Sequence, residues 1–115
     1  MEVMLAWYQV SDLEAAKKFY SEAMGLDKIF EMEGWAEFSH KEGGVSIGLS
    51  SNGSGQSGAT VVLRVDDLDR AREELSHKGV EFIGEVEEIP GVVRIATFRD
   101  SSGNQLQLAQ TFVAQ

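Results

Sequence analysis

The chain has 115 residues, one domain's worth and enough for a hydrophobic core without covalent staples. It contains no cysteine, which excludes disulfides, thiolate metal sites and thiol nucleophiles. Its net charge of −9 comes with no basic stripe, so nucleic acid is excluded as a partner, and solubility or attraction of a cationic ligand is favoured.

The opening MEVMLAWYQV has no basic segment before its apolar run, which is too short and interrupted for a signal peptide or membrane span. A cytoplasmic location with no membrane partner is the default expectation. VMLAWYQV (3–10) reads as the first strand. Leu13, Ala16, Tyr20 and Ala23 then recur at helical spacing. Ser11 is the expected cap, Glu14 its return partner, and Gly25 the left-handed terminator. Three strands follow: DKIFEM (27–32), WAEFSH (35–40) and VSIGLS (45–50), with KEGG (41–44) as a hairpin turn. SSNGSGQSG (50–58) is composed for a flexible connection.

The same order then repeats. ATVVLRV (59–65) is a strand, and Leu68, Ala71 and Leu75 mark a helix with Asp66 as expected cap, Asp69 as partner and Gly79 as terminator. VEFIGEVEEI (80–89), GVVRIATFRD (91–100) and QLQLAQ (105–110) complete the set; Pro90 interrupts the first pair and SSGN (101–104) turns the second. The octets VSDLEAAK (10–17) and VDDLDRAR (65–72) agree at four of eight positions, 55 residues apart. The chain therefore reads as two β-α-β-β-β modules, 1–50 and 59–115, joined by linker 51–58. Sharing a sheet buries what neither module covers alone. The expected fold is α+β, a single domain whose curved, cup-shaped, eight-stranded mixed sheet carries its helices on the convex side.

The phrases YQVSDLEAAKKFYSEAMGL (8–26) and LRVDDLDRAREELSHKGV (63–80), with the tail FRDSSGNQLQL (98–108), resemble the vicinal oxygen chelate superfamily. That group includes glyoxalase I, extradiol dioxygenases and bleomycin-resistance proteins. Ser101 stands where proline is usual in such tails. The resemblance implies homodimers, side by side or exchanging modules. It also implies four metal-ligand positions, which map onto Leu5, Gly48, Thr60 and Gln107. Leu5 and Gly48 have no donor side chain, and Thr60 and Gln107 are neutral, so no metal and no cofactor is expected.

Alternation along each strand then assigns the faces. Leu5 brings Trp7 and Gln9 inward; Thr60 brings Val62 and Arg64; Gly48 brings Ser46; Gln107 brings Gln105. Phe38 and Phe98 are expected in the core, which turns Glu37, Trp35 and Thr97 inward. The candidate ligand-binding residues are thus Leu5, Trp7, Gln9, Trp35, Glu37, Gly48, Thr60, Arg64 and Gln107. The tryptophans suit a planar or cationic group, Arg64 suits a carboxylate or phosphate, and Gly48 would leave room at the floor. Alternatively, the tryptophans fill the cup or a dimer interface, and Arg64 pairs with Glu37. His40, at a turn, and His77, near a helix end, lack metal-ligand spacing. The expected function is binding of a small aromatic or cationic molecule, of the resistance or sequestration type. A lyase or isomerase-like enzyme using Glu37 as base is the alternative, and a structural module with a plugged cup is a third.

Overall fold

Among the described residues, eight strands and two α-helices follow one another in the predicted order. The structure, a computed structural model, describes residues 1–40, 44–52 and 58–112. Most of the expected turn 41–44 and of linker 51–58 therefore lies outside the described residues. The elements are β1 (Glu2–Gln9), α1 (Leu13–Lys18), β2 (Asp27–Met32), β3 (Trp35–Ser39), β4 (Ser46–Ser50), β5 (Thr60–Arg64), α2 (Leu68–His77), β6 (Phe82–Ile89), β7 (Val93–Arg99) and β8 (Gln105–Thr111). The class is α+β with mixed strand pairing. The chain divides into two compact units: Met4–Ala59, and Met1–Val3 with Thr60–Gln115. They are called the first and second unit below.

In the first unit the strand order is β2-β3-β4-β1, with β1 and β4 parallel and the other pairs antiparallel. One face packs on α1. Ala36, Phe38 and Leu49 form its buried centre, against Tyr8, Val10, Leu13, Ala16 and Tyr20. The second unit repeats this as β5-β8-β7-β6, with β5 and β8 parallel. Its core is Val65, Leu68, Ala96, Phe98 and Leu108, joined by Leu63, Ala71, Leu75 and Leu106. The alternation expected from sequence holds in both units: Phe38 and Phe98 are core, as are the apolar rows of β4, β5 and β8.

The helix starts correct the expected caps. Asp12 and Asp67, each one residue beyond the expected Ser11 and Asp66, hold extended backbone and accept from the amides of Ala15 and Arg70 at 3.0 and 3.1 Å. The aspartates remain 55 positions apart, so the repeat survives in the caps. A further amide at the start of α2, that of Leu68, donates to Gln110 Oε1 at 2.8 Å. α2 ends in a Schellman arrangement. Val80 N–H reaches Leu75 C=O, Gly79 N–H reaches Ser76 C=O, and Gly79 has φ +94°. Val80 also packs beside Leu75 in the core, the apolar contact that accompanies such ends.

The first helix ends differently. Phe19–Ala23 form a π-helical turn, in which Met24 N–H reaches Phe19 C=O at 3.1 Å. Thirteen positions separate Asp12 from Gly25, but twelve separate Asp67 from Gly79. The extra residue between equivalent cap and terminator is taken up by the wider turn. This overturns the expected stripe at its end: Ala23 is exposed, while Tyr20 stays on the core and its hydroxyl hydrogen-bonds that of Tyr8. Burial, with Tyr20 beside it, pushes the Tyr8 phenol up to about 12. Glu31, between Lys17 and Lys28, is held down to about 2 by those two ammonium groups and ties α1 to β2.

Removing a cap should be felt in either unit. Asp67→Ala is expected to cost about 1 kcal/mol, seen as a lower urea midpoint at unchanged slope. Ser11→Ala should leave the midpoint within experimental error, because Asp12 carries that cap.

Candidate functional site

In the first unit, the sheet face opposite α1 collects most of the predicted residues. Parallel pairing places Leu5 beside Ser46, Trp7 beside Gly48 and Gln9 beside Ser50. Antiparallel pairing places Glu37 beside Gly48 and Trp35 beside Ser50. Trp35 is thus a diagonal neighbour of Gly48, within reach of a long aromatic side chain. Its ring lies over the glycine. A Cβ built on Gly48 would meet Trp35 Cη2 at 2.6 Å, Trp35 Cζ2 at 2.7 Å and Trp7 Cβ at 2.8 Å. The two indoles meet edge to face, their centroids 5.7 Å apart at 70°. The expected open floor at Gly48 is therefore corrected: the missing side chain leaves room, and Trp35 takes it.

Glu37 shares this face. Trp35 Nε1 donates to Glu37 Oε2 at 2.8 Å, and Ser46 Oγ makes a longer contact to Oε1 at 3.4 Å. Burial raises the Glu37 pKa, and these two donors oppose the rise. The result is a half-buried carboxylate beside an aromatic wall. Such a surface attracts a cation through the carboxylate charge and the indole faces together. Leu5, in the middle of β1 beside Ser46, is buried at 3% exposure.

In the second unit, the face opposite α2 mixes apolar residues with polar side chains that bond one another. Thr60 is fully buried, and its Oγ1 accepts from Gln105 Nε2 at 3.2 Å. Gln107 Nε2 donates to Thr97 Oγ1 at 3.2 Å. Val62, opposite Gln107, is buried as well. Arg64 lies at the end of β5. Its Nη1 bonds Glu2 Oε1 at 2.8 Å, and it borders an open groove of about 490 Å³ with Asp66, Arg70 and Glu74. That ion pair was not foreseeable, since nothing local links positions 2 and 64. His40 and His77 are both exposed.

Four positions correspond to the metal ligands that the resemblance implies: Leu5, Gly48, Thr60 and Gln107. Leu5 and Gly48 bring no donor. Thr60 brings a hydroxyl already accepting a hydrogen bond, and the Gln107 amide is oriented by Thr97. The carboxylate on the first unit's face belongs to Glu37, whose two oxygens already accept bonds from Trp35 and Ser46. A divalent ion needs anionic or imidazole donors to offset its dehydration, and these four residues do not fit one. Among the described residues, no group of three or more His, Asp or Glu is placed to hold a metal ion. Nor is any helix there long and apolar enough to cross a membrane.

Paired β-α-β-β-β units of this kind define the class of protein. A family model, Glyoxalase/Bleomycin resistance protein/Dioxygenase superfamily, matches residues 3–108. The chain belongs to that superfamily. No curated protein matches the sequence. Solved structures share the fold. Hypothetical protein BH1468 from Bacillus halodurans C-125 matches with TM-score 0.77 at 13% identity, over 99% of this chain and 96% of that one. Methylmalonyl-CoA epimerase from Mycobacterium tuberculosis gives 0.76 at 21% identity, over 95% and 87%. NAD-dependent benzaldehyde dehydrogenase from Legionella pneumophila gives 0.76 at 16%, over 93% and 97%. At such identities the likeness is one of fold.

Glu37 gives the site a pH signature. Because its folded pKa is raised, the folded chain holds the proton more tightly than the unfolded chain. The stability from this group is fully present below the ordinary glutamate value near 4.5 and is lost as pH rises through the raised value. Glu37→Gln should remove that loss. In urea melts between about pH 4 and 7, variant stability should gain on wild type as pH increases.

Proposed function

We propose that this protein binds a small, flat, cationic organic molecule on the Trp7–Trp35–Glu37 face, without a metal, and acts by sequestering it. The observation that carries this reading is the half-buried Glu37 carboxylate beside two indoles that already meet edge to face. Each good aromatic contact to a cation contributes about 0.5–2 kcal/mol. The neutral family ion positions support recognition by side chains over recognition through a Lewis acid. The net charge of −9 adds a long-range attraction for the same class of ligand. A homodimer, as the resemblance implies, is the expected working assembly; sedimentation of the ligand-free protein checks it.

A second reading rests on Glu37 alone. A carboxylate whose proton affinity is raised by burial suits general-base chemistry, as in a lyase or isomerase. It predicts solvent deuterium entering a carbon acid in the presence of protein, and loss of that exchange in Glu37→Gln.

The binding reading is tested by thermal shift against a panel of planar organic cations and their uncharged analogues. A true ligand at 100 times its Kd stabilises by about 2.7 kcal/mol, a Tm rise of several degrees. Trp7→Ala and Glu37→Gln should each abolish most of that rise. Neutral analogues that stabilise as well as the cations would remove Glu37 from recognition. Silence across the panel at millimolar concentrations would overturn the proposal.

A further inference from the structure

Gly48 is the smallest residue on the candidate face, yet it touches the most consequential side chains there. Trp7 is its cross-strand partner on β1 and Glu37 its partner on β3. The Trp35 ring occupies the volume a side chain at 48 would fill. Two of the three atoms that crowd a Cβ there belong to the far edge of that ring, at 2.6 and 2.7 Å. The third, Trp7 Cβ at 2.8 Å, is fixed by the β1 backbone and cannot swing away. A side chain at 48 must therefore displace the Trp35 ring edge as well as press on Trp7 Cβ. Displacing the ring also moves Nε1, the 2.8 Å donor that orients the Glu37 carboxylate.

We infer that Gly48 is the specificity-determining position of this face: by admitting the edge of the Trp35 ring over β4 it sets both the depth of the aromatic floor and the aim of Glu37. The position is one of the four at which the superfamily resemblance expects a metal ligand. In this chain it serves as a seat for an indole. The ligand class that follows is a thin, planar cation lying against the exposed indole surface with its charge toward Glu37. This deepens the binding proposal and rests on it for the ligand class; the seating of Trp35 stands on the geometry alone.

The test uses the full chain and N-methylpyridinium, a planar cation that quenches tryptophan fluorescence, with iodide as the anionic control. Wild type should be quenched by N-methylpyridinium several-fold more efficiently than by iodide. Gly48→Ala should red-shift the emission, raise iodide access and cut the cation-to-anion quenching ratio at least about threefold. Glu37→Gln should cut the same ratio without the red shift, since the ring stays seated. Should Gly48→Ala fold poorly, Gly48→Ala/Trp35→Phe supplies the check. Phenylalanine lacks the crowding ring edge, so the double variant should recover at least half of the Tm lost by Gly48→Ala.

Gly48→Ala with wild-type emission, or a double variant whose losses simply add, would overturn the seat. Equal quenching by cation and anion in wild type, together with the expected red shift and rescue, would overturn the ligand class and leave the seat standing.

Discussion

In each unit, a single helix covers one face of a four-stranded sheet, and that constraint organises everything else. Apolar side chains must occupy alternate positions on every strand to meet the helix. Polar and aromatic residues at the intervening positions are thereby gathered on the opposite face, whatever their separation in sequence. Phe38 on the helix side is what turns Glu37 and Trp35 away from it. Leu106 and Leu108 do the same for Gln105 and Gln107. The candidate site is a by-product of core packing before it is anything chemical.

Chemistry on the two opposite faces has diverged. The first unit offers an aromatic wall with the Glu37 carboxylate beside it. The second offers hydroxyls and amides that bond one another. Among the described residues, no group of three or more His, Asp or Glu is placed on either face to hold a metal ion. The shared fold supplies the scaffold, and these substitutions determine what the scaffold can do.

Much of this was legible in the residues. The order of the elements was readable from the strand and helix patterns, and strand alternation put Phe38 and Phe98 in the cores and Trp35 on the same face as Glu37. What escaped depends on relationships one residue fine or many residues long. Each cap moved by one position, because Asp12 and Asp67 are better placed to accept from the third amide ahead. The covering of Gly48 by Trp35 required the β3–β4 register, which the pattern of neither strand contains. Likewise, the Glu2–Arg64 ion pair spans 62 positions and leaves no local trace. The shift of register in β6, between Ile83 and Glu87 beside Gly84 at φ +69°, is of the same kind.

The wider turn at the end of the first helix had a visible trace, in thirteen positions against twelve from cap to glycine. Its consequence is a difference in what the two helices show to solvent. After an added residue, every later side chain is carried about 100° around the axis relative to an uninterrupted helix. Phe19 and Met24, both about half exposed, flank this offset. Among the described residues, one of the two equivalent helices thus displays an oily shoulder that its counterpart lacks, while both keep their cores.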